Sequence, residues 1–126
     1  MTEPVVGLVG LGAMGAGIAR TLRAHGFHVH VCDVRHDAAL AFAAEGGTAW
    51  KTPAEAAAAA PVLVSVVVNA AQTEGVLFGD GGAAEAMQAG STFVMCSTVD
   101  PNWSIALEAR LNAAGIHYID APISGG

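Results

Sequence analysis

Three glycines near the amino terminus have a spacing that can bind a phosphate group. They follow an apolar stretch, residues 5–9, and precede a segment that favours a helix, in the run Gly10-Leu11-Gly12-Ala13-Met14-Gly15. In a strand, turn and helix of this kind, Gly10 allows a sharp turn and Gly12 lets a pyrophosphate approach the main chain. Gly15 then lets the helix pack closely on the strand. The free N–H groups at the helix start favour an anion, so the run predicts a dinucleotide-binding turn.

An acidic residue follows at the distance that this motif requires. Asp33 ends the second strand-like run, residues 29–33, about 20 residues beyond the glycines. A carboxylate there accepts hydrogen bonds from both ribose hydroxyls of an adenosine and repels a 2′-phosphate, so we expect NAD rather than NADP. Arg35 leaves alternatives open, because its side chain could hold a 2′-phosphate, stack on adenine or remain a solvated loop cation.

Composition excludes several other classes of protein. The 126 residues are 53% apolar and 13% charged, with a net charge of −6, which indicates one globular domain without a basic surface for nucleic acid. No apolar run approaches the ~20 residues that cross a bilayer, and the chain begins without a secretion signal. Cys32 and Cys96 lack a metal-binding spacing, so we expect two reduced, buried strand thiols in a cytoplasmic protein.

Strand-like and helix-like segments alternate along the whole chain with short connections. The pattern predicts an α/β fold, a doubly wound parallel sheet of the Rossmann type, as a single domain over residues 1–126. Strands are expected at residues 5–9, 29–33, 48–50, 61–68, 91–96 and 116–119, and helices at 13–25, 37–45, 53–60, 70–78, 83–88 and 101–114. The histidines His25, His28 and His30 flank or enter the second strand, and we expect them to be surface residues rather than metal ligands.

The carboxyl ends of the later strands offer further candidates, because ligands bind beyond that edge of an open parallel sheet. Val67, Val68 and Asn69 end or follow the strongest strand of the chain. Asn69 either caps the next helix only or also contacts the cofactor. The hydroxyl of Thr98, after the fifth strand, could meet the nicotinamide end of a cofactor or could satisfy local backbone.

Three segments together resemble the β-hydroxyacid dehydrogenase family. They are the glycine run from Gly10 to Gly15, Ser97-Thr98 followed by Pro101, and the final Asp120-Ala121-Pro122-Ile123-Ser124-Gly125-Gly126. Asn69, where many members carry proline, and the Cys32-Asp33-Val34-Arg35 run look like the branch that oxidises the C2 hydroxyl of L-threonate with NAD.

The resemblance implies a role for each matching residue. The cofactor would be lined by Gly10, Leu11, Gly12, Ala13, Met14, Gly15, Asp33, Arg35, Val67, Val68, Asn69 and Thr98. Ser124, Gly125 and Gly126 would hold the carboxylate of a small hydroxyacid substrate, although the two glycines alone could form a plain turn.

The sequence also departs from the family. Members carry a catalytic lysine on a later helix, whereas Lys51 is the only lysine here and lies by the third strand. The helical second domain, which closes the cleft and builds the homo-oligomer, has no counterpart. We therefore expect a piece of a longer enzyme that is inactive alone and contains no catalytic residue of its own. Other substrates, 3-hydroxyisobutyrate or tartronate semialdehyde, stay open, and so does a non-catalytic NAD-binding module.

Overall fold

The computed structural model describes residues 4–123, which contain six strands in one parallel sheet and five helices. The strands are β1 (Val5–Val9), β2 (His28–Cys32), β3 (Thr48–Ala49), β4 (Val62–Ser65), β5 (Thr92–Met95) and β6 (His117–Asp120). The helices are α1 (Ala13–Ala24), α2 (His36–Glu45), α3 (Pro53–Ala58), α4 (Ala70–Phe78) and α5 (Pro101–Ala113).

The sheet order is β3-β2-β1-β4-β5-β6, and every neighbouring pair is parallel. The chain moves outward from β1 to β3, returns through α3 to β4 beside β1, and moves outward again to β6. This reversal opens a crevice at the carboxyl ends of β1 and β4, where doubly wound folds bind ligands. The predicted fold class is confirmed.

Apolar side chains cover both faces of the sheet. On one face α1 and α2 pack against β1 and β2, with Leu8 and Phe42 in the buried cluster. On the other face α3, α4 and α5 pack around Leu63, Phe93 and Leu107. Successive residues of a strand point to opposite faces, so the near-continuous apolar runs of the central strands supply both clusters.

Polar side chains define where three helices begin. Thr52 and Glu55 form a reciprocal capping box at α3, Asn69 accepts from Gln72 N at α4, and Asp100 accepts from Asn102 N at α5. These bonds satisfy amides that a helix leaves without partners in its first turn. Among the helices of residues 4–123, α1 and α2 begin without such a side-chain hydrogen bond.

Two predicted elements differ from the structure. The expected short helix at residues 83–88 is wrong, because only Ala86 N and Met87 N reach back to Ala83 O before the chain turns away. A single turn fixes several dihedrals for very few hydrogen bonds and does not propagate into a helix. The strand expected over residues 61–68 forms β4 only over Val62–Ser65, because its neighbours β1 and β5 end at Val9 and Met95, the residues paired with Ser65.

Two predictions of surface and core were also incorrect. His30 is buried, and its Nδ1 accepts a hydrogen bond from Trp50 Nε1 at 3.1 Å, so it is a packed core histidine rather than a surface residue. Cys32 is buried as expected, but Cys96 lies just beyond β5 and is only partly buried. No helix of residues 4–123 is long and apolar enough to span a membrane.

Candidate cofactor site

The glycine turn joins β1 to α1 through a conformation that only glycine tolerates well. Gly10 has φ +103°, and a Cβ there would overlap the carbonyl oxygen of Val66. A Cβ on Gly15 would overlap the carbonyl of Gly10, which shows how closely α1 approaches the end of β1. Both glycines therefore have the structural reason that the sequence predicts.

Gly12 differs from Gly10 and Gly15, because a side chain at its position would enter open space. A Cβ built there meets no atom of the described residues within 4 Å, and Gly12 borders a cavity. Gly12 is also the N-cap of α1, which has no side-chain cap and no acidic residue in its first turn. The exposed amides and the open space together suit a phosphate group.

Asp33 is fixed directly beside this turn. Its Oδ2 accepts the main-chain N–H of Leu11 at 2.6 Å, and its Oδ1 accepts that of Arg35 at 2.8 Å. Each carboxylate oxygen has a second lone pair to offer, so the carboxylate is oriented and still able to accept ribose hydroxyls. The Arg35 side chain makes no capping bond to α2 and is exposed.

A cavity of about 630 Å³ lies at the carboxyl ends of β1, β2 and β4. This volume is within the range of about 300–1,000 Å³ that small-molecule sites occupy. Of the predicted cofactor residues, the cavity is lined by Gly10, Gly12, Asp33, Val67 and Val68. The structure thus brings residues from three separate strand ends to one concave surface.

Further residues line this cavity that the sequence pattern did not indicate. Gln72 lines it and uses its Oε1 to accept the N–H of Val68 at 2.8 Å. The signal was present in the sequence, since Gln72 stands three residues after the cap Asn69, where such a side chain can reach back to the chain before the helix. The remaining missed lining residues are Val9, Cys32, Val34, Lys51, Thr52, Pro53, Val66, Gly75, Val76, Gly79 and Asp80.

Two of these lining residues, Cys32 and Lys51, carry groups that could in principle react or bind charge. Burial, with the nearby charges of Asp33 and Glu55, raises the pKa of the Cys32 thiol to about 11, so Cys32 stays protonated and is not a nucleophile at neutral pH. Lys51 adds a positive charge near the end of β3, at the opposite edge of the sheet from β5 and β6.

Other predicted residues lie outside this cavity. Leu11, Ala13, Met14, Gly15, Arg35, Asn69 and Thr98 are not among its lining residues in the described part of the chain. Thr98 is exposed and follows Ser97, which is buried and donates to Val67 O at 2.6 Å. This bond ties the end of β5 to the end of β4, so Thr98 lies on the side of the cavity away from Asp33.

The predicted substrate residues Ser124, Gly125 and Gly126 lie outside the described residues. The chain that leads to them continues along β5, because Ala121 N donates to Met95 O at 2.9 Å and Ile123 N donates to Cys96 O at 3.2 Å. Residues 4–123 contain no group of three His, Cys, Asp or Glu side chains that could hold a metal ion.

The residues present fit NAD on two separate observations. The open space at Gly12 beside uncapped amides suits the pyrophosphate, and the oriented Asp33 carboxylate suits an unphosphorylated ribose. The apolar Val67 and Val68 supply walls for flat rings.

Comparison with known proteins identifies the family of the chain and its relatives. Residues 5–126 match the family described as the NAD binding domain of 6-phosphogluconate dehydrogenase. The chain is 47% identical over 121 residues to L-threonate dehydrogenase of Cupriavidus necator, covering 96% of this chain and 41% of that protein. It is 35% identical to 2-(hydroxymethyl)glutarate dehydrogenase of Eubacterium barkeri, covering 96% of this chain and 40% of that protein.

A solved structure of a related dehydrogenase has the same fold. The structure of 3-hydroxyisobutyrate dehydrogenase from Salmonella typhimurium superposes with a TM-score of 0.92 and 38% identity, covering 98% of this chain and 43% of that one. The chain thus spans about two fifths of the length of these relatives. The resemblance to the β-hydroxyacid dehydrogenases and the expectation of an NAD-binding domain are confirmed, and the chain belongs to the family of NAD-binding domains named after 6-phosphogluconate dehydrogenase.

Proposed function

We propose that the chain is the cofactor-binding part of an NAD-dependent dehydrogenase that oxidises a hydroxyl of a small hydroxyacid. The observation that carries the proposal is the Asp33 carboxylate, held by Leu11 N and Arg35 N at the wall of the cavity. A carboxylate in that position selects a ribose with free hydroxyls.

L-Threonate is the substrate that we propose, with 2-dehydro-L-erythronate as its product. The support is the 47% identity to an L-threonate dehydrogenase, against 35% for the 2-(hydroxymethyl)glutarate enzyme. A second candidate, 3-hydroxyisobutyrate, is favoured by the 0.92 TM-score to an enzyme with that name. Reduction of tartronate semialdehyde, the reverse direction of the same chemistry, is a further candidate within the same class.

When bound, NAD supplies the hydride acceptor, and the protein supplies binding and orientation. The first-turn amides of α1 would hold the pyrophosphate beside Gly12, and Asp33 would accept the adenosine ribose hydroxyls. Val67 and Val68 would exclude water from one side of the cofactor. Leu11, Ala13, Met14 and Asn69 would border it, and Arg35 would lie by the adenosine.

The substrate would lie at the other end of the cofactor, near Thr98. Two hydrogen bonds support this placement, because Ser97 Oγ ties β5 to Val67 O and Ile123 N ties the chain after β6 to Cys96 O. Ser124 would donate its hydroxyl to the substrate carboxylate, and the amides of Gly125 and Gly126 would donate as well.

The proton of the substrate hydroxyl requires a base that we do not assign to this chain. Lys51 lies by the edge strand β3, four strand positions from β5, and the family resemblance implies a lysine on a later helix. We propose that residues 1–126 form one NAD-binding domain that binds NAD but turns over hydroxyacids poorly by itself. The free thiols of Cys32 and Cys96 suit a reducing compartment, so we propose a cytoplasmic location.

A pair of chimeras tests this function. In each, the chain replaces the matching 40% or so of a dehydrogenase, once of the C. necator L-threonate enzyme and once of a 3-hydroxyisobutyrate enzyme. We expect NAD-dependent oxidation of L-threonate by the first chimera at a kcat/KM within tenfold of its parent, and weaker activity of the second. The reverse order would favour 3-hydroxyisobutyrate. Two folded, NAD-binding but inactive chimeras would favour a non-catalytic module.

A further inference from the structure

The peptide group between Val67 and Val68 is held at both ends by side chains. Its carbonyl oxygen, on Val67, accepts the hydroxyl proton of Ser97 at 2.6 Å, and its N–H, on Val68, donates to Oε1 of Gln72 at 2.8 Å. Ser97 follows β5, whereas Gln72 lies in the first turn of α4. One peptide plane is therefore oriented by two elements that are separate in the chain.

This double attachment lies where the sheet no longer holds the chain. The bond from Cys96 N to Ser65 O, at 3.0 Å, is the last main-chain hydrogen bond between the ends of β4 and β5 in the described part of the chain. The Ser97 hydroxyl continues the connection one residue further. Within residues 4–123, Val67 O has no other hydrogen-bond donor, so the orientation of this oxygen depends on the serine.

The single proton of each neighbouring hydroxyl is committed to this segment. Ser97 is 2% exposed, and its proton goes to Val67 O. Thr73 Oγ1, which lies 3.4 Å from Ser97 Oγ, donates its own proton to Asn69 O at 2.9 Å. A hydroxyl has one proton, so neither has one left for the other. The two bonds differ in one respect, because Asn69 O also accepts Thr73 N at 3.0 Å.

The segment held in this way carries part of the wall of the cofactor cavity. Val67 and Val68 both line the cavity, and Val68 is 78% exposed although it is apolar. An apolar side chain at the rim of a cavity suits contact with a bound ring. Because the peptide plane sets the directions of both side chains, a rotation of that plane would change the shape of the wall.

We propose that Ser97 is a positioning residue for NAD: its hydroxyl fixes the Val67–Val68 peptide group and, with it, the apolar wall of the cofactor cavity. Ser97 is not among the residues of the described chain that line the cavity, so it acts through this peptide group and does not touch the cofactor. Loss of the hydroxyl leaves Val67 O without a partner, which favours rotation of the plane toward water. The inference rests on the proposed function, because it assumes that NAD occupies this cavity.

Two other buried hydroxyls provide matched controls. Ser91 is 4% exposed, and its Oγ donates to Gln88 O at 2.6 Å just before the start of β5. Gln88 O also accepts Ser91 N at 3.0 Å, as Asn69 O accepts Thr73 N. Ser91→Ala and Thr73→Val therefore each remove a buried hydroxyl but leave its acceptor with a main-chain donor.

The experiment measures two properties of the 126-residue chain: amide hydrogen exchange at Val68 without ligand, and the Kd of NAD by calorimetry. For Ser97→Ala we expect about tenfold faster exchange at Val68 and about fivefold weaker NAD binding, the effect of one lost hydrogen bond. Ser91→Ala and Thr73→Val should change each property less than about twofold, because their acceptors stay bonded.

Two further variants of Ser97 relate these effects to the hydroxyl proton. Ser97→Thr keeps the hydroxyl and should restore both the exchange rate at Val68 and the NAD affinity. Ser97→Cys keeps a side chain that fills the site, but its thiol is only a weak donor, so we expect a Kd of NAD between those of the unmodified chain and Ser97→Ala.

The outcomes separate this inference from the proposed function. If the folded, unmodified chain binds no NAD, the proposed function fails and the inference fails with it. If that chain binds NAD and Ser97→Ala binds it equally well, the positioning role is wrong and the proposed function stands. An equal loss of NAD affinity in Ser91→Ala or Thr73→Val would show a general effect of stability and would also contradict the positioning role.

Discussion

The main-chain N–H of Leu11 donates to Oδ2 of Asp33 at 2.6 Å, across 22 residues of sequence. This hydrogen bond fastens the glycine turn after β1 to the end of β2, so the place for a phosphate and the place for a ribose are held at a fixed separation. A charge-assisted bond of this kind is worth about 1.5–3 kcal/mol. The glycine turn and Asp33 therefore form one binding unit, because a hydrogen bond joins them directly.

Replacement of that carboxylate should weaken NAD binding. For Asp33→Ala we expect the Kd of NAD to rise about tenfold to a hundredfold, since about 1.4 kcal/mol corresponds to tenfold in affinity. The Kd of NADP should fall relative to that of NAD, because the charge that repels a 2′-phosphate is gone. Asp37→Ala is the control, since it removes an equal charge from the exposed first turn of α2. Equal effects of the two variants would show that only net charge matters.

Two glycines of α1 should respond oppositely to the same substitution. Gly15→Ala places a methyl group on the carbonyl of Gly10 and should lower the free energy of unfolding by about 1–3 kcal/mol. Gly17→Ala, at an exposed position of the same helix with no atom beyond that helix within 4 Å of the new methyl, should raise it by about 0.5–1 kcal/mol. Urea denaturation measures both, and a stable Gly15→Ala variant would contradict the close packing of α1 on β1.

Asn69 allows capping and cofactor contact to be separated. Its Oδ1 accepts Gln72 N at 2.8 Å, so Asn69→Ala should cost about 1 kcal/mol of stability, whereas serine is an equally good cap and Asn69→Ser should cost little. If Asn69 also touches NAD, the serine variant should bind NAD at least threefold more weakly while it unfolds at the same urea concentration. Unchanged NAD affinity in Asn69→Ser would leave Asn69 a cap alone.

The buried histidine predicts a loss of stability in mild acid. Burial, and then the neighbouring charge of His28, lower the pKa of His30 in the folded chain below its usual 6.5. The unfolded chain therefore binds a proton first, and the free energy of unfolding should fall as the pH drops below about 6.5. His30→Gln should flatten this dependence between pH 7.5 and 5.5, and the exposed His25→Gln should not. A profile that stays unchanged in His30→Gln would refute the assignment.

The sequence allowed the fold class and the glycine turn to be predicted because both have local causes. Thr52 and Asn69 are side chains that can satisfy first-turn amides, and the glycine turn and Asp33 have spacings that follow from one βαβ unit. These features need no knowledge of distant contacts. The interior position of β4 in the sheet, between β1 and β5, likewise agrees with its nearly all-apolar composition.

The remaining features depend on packing between distant segments. His30 is buried because Trp50 from the neighbouring strand donates to its ring, a partner that strand composition alone does not identify. Ser104 lies opposite Asp120 only because α5 packs on β6. Each of these needs the tertiary arrangement, which periodicity in one segment cannot supply.

The central claim is that this chain binds NAD through the glycine turn and Asp33. Calorimetric titration of the 126-residue chain with NAD and with NADP tests it most directly. We expect one NAD site per chain, with a Kd for NAD at least tenfold lower than for NADP, and loss of that preference in Asp33→Ala. Absence of NAD binding by the folded chain, or tighter binding of NADP than of NAD, would contradict the account.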